Sequence, residues 1–183
     1  MNDLSEPFMK KPIIVIACGN PDAGDDAFGS AVAEKLRVDP LPGLEVVDLK
    51  TRPTDLLGDL QAYAALMIVD AVLCPGEKPG AIIDMDWFDP ARPALLHETT
   101  LSSHGLSIGD VINLLDSLGL IPNSIRLLGV NIGQAEIGGC MTLAVQTCVA
   151  DVARIIRQVI GGEGYTSDHA LRAHDMGGSM SDK

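Results

Sequence analysis

Residues 12–18 (Pro-Ile-Ile-Val-Ile-Ala-Cys) form an unbroken apolar run that stops at Gly19-Asn20 and passes through Pro21 into Asp22-Ala23-Gly24-Asp25-Asp26. A short run with no polar alternation, bounded by turn residues, predicts a strand buried on both faces. Such strands belong to parallel sheets covered by helices, which narrows the fold sharply. From Ala27 to Leu36 the apolar residues Phe28, Ala31, Val32 and Leu36 recur at helical spacing. Asp25 and Asp26 stand at the helix start, where carboxylates favour the dipole. The unit reads as strand, acidic loop, helix.

The same rhythm continues. Residues 44–49 predict a second strand, 55–64 a helix with Leu56, Leu57 and Leu60 turned inward, and 65–70 a third strand ending at Asp70. Residues 81–85 predict a fourth strand, 108–118 a helix stopped by Gly119, 124–132 a fifth strand, and 143–160 a long helix closed by Gly161-Gly162. Alternating strands and helices imply an α/β three-layer sandwich, with a twisted, mostly parallel sheet of about five strands flanked by helices on both faces. The expected organisation is one domain over 12–160, with a loose polar N-terminus at 1–11 and a flexible Gly/Ser/Asp/His tail at 161–183.

Composition removes several functions. A net charge of -12 repels nucleic acid and anionic membranes, and 3% aromatic residues offer little surface for stacking on bases. No apolar run spans a bilayer and the N-terminus lacks a signal-peptide core, so the chain is expected to be soluble and cytoplasmic. Cys18, Cys74, Cys140 and Cys148 form no CxxC pair and sit among apolar neighbours, which suits buried free thiols in a reducing compartment.

Ligand sites in open parallel sheets form beyond the carboxyl ends of strands. Asn20 to Asp26 and Asp70 are delivered to that edge, and His104 lies in a loop that opens a helix. Two carboxylates and an imidazole can grip a divalent ion while leaving positions open. Each residue also has a plainer reading. Asp25 and Asp26 can charge a helix start, Asp70 can accept hydrogen bonds in its own turn, and His104 can be an ordinary loop histidine beside the N-cap candidates Ser102 and Ser103. The glycine-containing loop matches neither nucleotide fingerprint, and its aspartates would repel phosphate.

Taken together, four motifs resemble those of the hydrogenase maturation endopeptidases. They are Gly19-Asn20-x5-Asp26-x2-Gly29 after a buried strand, Ile68-Val69-Asp70-Ala71 at a strand end, Ser-x-His104-x-Leu106 at a helix entry, and Leu127-Leu128-Gly129-Val130 before a Gly/Glu-containing loop. The similarity runs from about Ile13 to Ile160. It implies an enzyme that removes a C-terminal extension from the large-subunit precursor of a nickel-iron hydrogenase after nickel insertion. By motif position, Asp26, Asp70 and His104 would be the catalytic, metal-contacting residues. The nickel would arrive with the substrate, no tightly bound cofactor of the chain's own is expected, and the protein is expected to act as a monomer.

One departure concerns the loop after the second strand. The family commonly carries Asp-Gly-Gly-Thr there, whereas this chain has Asp48-Leu49-Lys50-Thr51, which bears on the choice of hydrogenase more than on the reaction. Two mechanisms stay open at this level. The metal can polarise the scissile carbonyl or activate a water, or it can dock the substrate while Asp26 or Asp25 acts as general base. Two alternatives to the protease also stand: an assembly chaperone that checks for nickel without cutting, and a small-molecule hydrolase with a deep pocket at the strand ends.

Overall fold

The computed structural model describes residues 12–74, 76–89, 107–133 and 135–161. Its strands are β1 (Ile13–Cys18), β2 (Leu44–Lys50), β3 (Ala65–Val72), β4 (Ile82–Asp86) and β5 (Ile125–Asn131), and its helices are α1 (Phe28–Val38), α2 (Ile108–Ser117) and α3 (Leu143–Gly161). One five-stranded sheet has the order β2-β1-β3-β5-β4. Every pairing is parallel except that of β4 with β5. The sheet and its two helical layers are therefore those the apolar runs predict.

The central strands bury side chains on both faces. Val15, Met67, Val69, Leu128 and Val130 pack against Phe28, Val32 and Leu36 of α1 and Val145, Val152 and Ile156 of α3. Ile14, Ile16, Leu66, Ile68, Ile125 and Leu127 pack on the other side against Ile108, Val111, Ile112 and Leu115 of α2. Burial of this aliphatic set is the main favourable term, at roughly 25 cal/mol per Å² removed from water. The edge strand β4 is tied to β5 by a two-pronged ion pair, Arg126 Nε to Asp84 Oδ1 at 2.5 Å and Nη2 to Oδ2 at 2.6 Å.

Residues 55–64 are not a helix. The chain makes a 3-10 turn over Pro53–Leu56 and then bends. Gly58 weakens helix propagation there. The backbone bonds instead to partners elsewhere: Leu60 N–H donates to Leu120 O at 2.9 Å, and Gln61 N–H donates to Asp59 Oδ1 at 2.8 Å in an Asx turn. Leu56 and Leu60 are buried as expected, but Leu57 is exposed. Among the cysteines, Cys18 and Cys148 are buried, whereas Cys140 is exposed. All four are free thiols.

Two close approaches set the layer above the strand ends. A Cβ on Gly29 would lie 2.0 Å from Cys18 O and 2.9 Å from Val69 O. The first turn of α1 therefore rests directly on the backbones of β1 and β3. Gly29→Ala is expected to destabilise the protein by about 3 kcal/mol, the upper end of ordinary overpacking costs, measured by urea unfolding. Gly161→Ala, where a Cβ meets nothing within 4 Å, is expected to leave stability unchanged or slightly raised.

Candidate active site

From β1 the chain moves outward to β2 and then returns past β1 to β3. This reversal makes the carboxyl ends of β1 and β3 the switch point at which open α/β sheets bind ligands. Asp26 and Asp70 both reach it. Ala17 pairs with Val69, so Asp70 follows at the level where β1 ends in Cys18. By strand alternation its side chain shares the α2 face with Ile68. Across the ladder Asp70 pairs with Gly129 of β5, so no side chain from that neighbour crowds the carboxyl.

Asp26 is carried on a 3-10 turn, Gly24–Ala27, that leads into α1. Its Oδ2 accepts the Asn20 N–H at 2.7 Å, which closes the acidic loop on itself. Gly19, at φ 119°, allows that closure, because a Cβ there would lie 2.0 Å from Asp26 O. Asp25 points elsewhere. It is buried and accepts both the N–H (2.6 Å) and the hydroxyl (3.0 Å) of Thr142, the residue before α3. Asp25 is thus committed to holding α3, and the option of using it as a general base falls away.

Burial and the Asp26 charge act on this edge. Burial, then the Asp26 charge, push the Asp70 carboxyl from its ordinary 3.8 to about 8, against the opposing pull of the Ala71 N–H. Asp70 as a residue is only half-buried, so its carboxyl still meets some water but is poorly hydrated. Burial also raises Asp26, opposed by the Asn20 N–H. The Cys18 thiol is raised well above its ordinary value by burial and then by Asp70, Asp48 and Asp26. A thiol held neutral in this way is a poor nucleophile.

Asp48 is a third carboxylate at this edge, one that strand and loop patterning did not single out as a site residue. Its Oδ1 accepts the Ser30 hydroxyl at 3.0 Å and the Lys50 N–H at 3.1 Å. That Asx turn holds Lys50 at φ 53°, a backbone conformation that glycine adopts freely. The register of β1 against β2 shifts at the same place. The aspartate two residues before a turn was the available signal.

His104 lies outside the described residues, as do Ser102 and Ser103. The N-cap of α2 is Ser107, whose hydroxyl accepts the Asp110 N–H while the Asp110 carboxylate accepts the Ser107 N–H, a full capping box. Because α2 leads through a short turn into the amino end of β5 and packs along the sheet, its N-terminus lies toward the carboxyl edge. Among the described residues no three His, Cys, Asp or Glu side chains gather as a metal site. A hollow of about 710 Å³, lined by Gln61, Tyr63, Phe88 and Ile121, opens at the opposite edge, beside the starts of β3 and β5. It is not the strand-end pocket a small-molecule hydrolase would use. No helix among the described residues is long and apolar enough to cross a membrane.

An open α/β sheet with perturbed carboxylates paired at its switch point is the architecture of a strand-edge enzyme site. The family model described as hydrogenase maturation protease matches residues 30–159, a span that contains Asp70 and His104 and begins just after Asp26. The hydrogenase 2 maturation protease of Escherichia coli K12 is 32% identical over 120 residues, covering 64% of this chain and 71% of that protein. The hydrogenase maturating endopeptidase HybD from E. coli superposes with a TM-score of 0.71 at 26% identity, over 84% of this chain and 94% of that one. The [NiFe] hydrogenase maturation protease HycI from Thermococcus kodakarensis shares the fold, with a TM-score of 0.65 at 24% identity over 84% of this chain and 95% of that one. The chain belongs to the hydrogenase maturation protease family, and it is a peptidase.

The raised Asp70 value makes a statement about stability. The folded protein keeps this proton to a higher pH than the unfolded chain does, so folding takes up a proton between pH 3.8 and about 8. Stability is fully present below that window and falls as pH rises through it, and Asp26 adds in the same direction. The metal-free wild type is expected to lose melting temperature between pH 4.5 and pH 8.5, as read by calorimetry. Asp70→Asn is expected to remove most of that loss and to melt at least about 3 °C higher at pH 8.5, the shift that roughly 1 kcal/mol gives at this size.

Proposed function

We propose that this protease cuts a C-terminal peptide from the precursor of a nickel-iron hydrogenase large subunit once nickel is in place. It would recognise the substrate-borne nickel through Asp26, Asp70 and His104. The observation that carries this reading is the pairing of Asp26 and Asp70 at the β1/β3 switch point, each with a raised carboxyl. Two carboxylates forced together out of full hydration repel one another, and a divalent cation relieves that repulsion. Cation binding displaces the proton they retain near neutrality. Three protein ligands form an incomplete set, so the remaining coordination positions fall to the substrate.

The position of α2 supports the third ligand. His104 is three residues before the Ser107 cap, and the N-terminus of α2 faces the carboxyl edge that holds Asp70. With Asp25 bound to Thr142 and the Cys18 thiol held neutral, Asp26 is the exposed-edge carboxylate left to take a proton from an attacking water. That water would add to the scissile carbonyl carbon, and its proton would pass through the carboxylate to the leaving amine.

Asp26→Asn, Asp70→Asn and His104→Ala are each expected to lower cleavage of nickel-loaded precursor by at least about 100-fold, the scale of losing one acid-base group. Intact mass before and after mixing reads the loss of the C-terminal peptide, and it separates cutting from mere holding. Precursor without nickel is expected to stay uncut. Equal cleavage of loaded and empty precursor, or wild-type rates in all three variants, would contradict the reading. Asp70→Asn would be more stable above neutral pH and yet inactive, a combination that global damage cannot produce.

A further inference from the structure

Two large aliphatic side chains stand in the open after β5: Ile137 in the loop that leads to α3, and Leu143 at the first residue of α3. Ile137 is 83% exposed and Leu143 is 75% exposed, although the central strands β1, β3 and β5 pack their isoleucines and leucines into the core. Neither is on a loose strap. The Gly138 N–H, next to Ile137, donates to Asp22 O at 2.7 Å. Thr142, next to Leu143, is held through both its N–H and its hydroxyl by Asp25. The backbones of Glu136 and Cys140 lie against Gly24, where a Cβ would be 3.5 Å from the carbonyl oxygen of each. The loop is therefore fastened at three places to the acidic loop that carries Asp26.

We propose that Ile137 and Leu143 form an apolar seat for the protein substrate, receiving nonpolar side chains near the scissile bond. The proposal rests on the reading that the carboxyl edge cuts a polypeptide. A chain laid across Asp26 and Asp70 must leave the site over its rim, and this loop is rim on the α3 side. Exposed aliphatic groups on an anchored backbone need no further backbone ordering when covered, so more of their burial is left to favour substrate binding. The covering partner is the substrate itself, because the seat is continuous with the loop that would hold its metal. Contacts made equally in the bound substrate and the transition state lower KM and leave kcat unchanged.

The test is steady-state cleavage of nickel-loaded precursor by the full chain carrying Ile137→Asp together with Leu143→Asp. Val38→Asp is the control, placing a new charge on an equally exposed apolar residue (81% exposed) at the far end of α1. The double variant is expected to raise KM by about tenfold or more with kcat within about twofold, while the control keeps wild-type values. Melting temperatures of all three are expected to stay within a few degrees, as for exposed substitutions generally. An unchanged KM in the double variant, with wild-type enzyme cutting normally, would overturn the seat and leave the protease reading intact. If wild-type enzyme does not cut the loaded precursor, both fail.

Discussion

The contact on which this molecule depends is backbone against backbone, where the first turn of α1 lies on the ends of β1 and β3 at Gly29. No side chain fits there. That closeness lets the preceding 3-10 turn overhang the strand ends instead of standing away from them, and it brings Asp26 near enough for its charge to raise the Asp70 carboxyl. Gly19 extends the same constraint, because the acidic loop folds back so tightly that Asp26 O occupies the space a Cβ would need. Sheet, helix and carboxyl pair are thus coupled through two glycines.

Around this contact, polar side chains act as fasteners at the carboxyl edge. Asp25 holds Thr142 at the start of α3. Asp48 holds Ser30 and the turn at Lys50. Buried Asn131 accepts the Cys74 N–H at 2.6 Å and donates to Glu77 O at 2.8 Å, pinning the segment after β3. Loops at a sheet edge have few apolar contacts to hold them, and buried hydrogen bonds to backbone groups supply the order instead. Asp26 and Asp70 are held more lightly, each accepting one backbone N–H among the described residues, from Asn20 and from the neighbouring Ala71. A carboxyl left so lightly satisfied in poorly hydrated surroundings destabilises the free protein, a cost that binding a cation would offset.

Much of the architecture was legible because the chain writes it in local terms. Apolar runs such as Ile13–Cys18 and Ala65–Val72 admit few readings other than buried parallel strands, and α1, α2 and α3 follow the expected helical periodicity. Residues 55–64 misled because Leu56, Leu57 and Leu60 mimic a helical stripe, while the backbone hydrogen bonds that decide the matter go to Leu120 and Asp59. The partner of Asp25 was invisible for a similar reason, since Thr142 is 117 residues away. The carboxyl pair itself could be anticipated from the order of strands and loops, whereas the strength of its perturbation needed the burial of Asp70 and the nearness of the Asp26 charge, which only the folded chain shows.

A site of this kind would sense metal by being unfavourable without it. Nickel X-ray absorption on the loaded precursor, alone and in complex with the chain, tests this most directly. If Asp26, Asp70 and His104 complete the coordination, the nickel shell gains oxygen and nitrogen scatterers on complex formation with wild-type protein, and Asp26→Asn with Asp70→Asn removes the oxygen contribution. A nickel shell identical in free precursor and in the complex would contradict it.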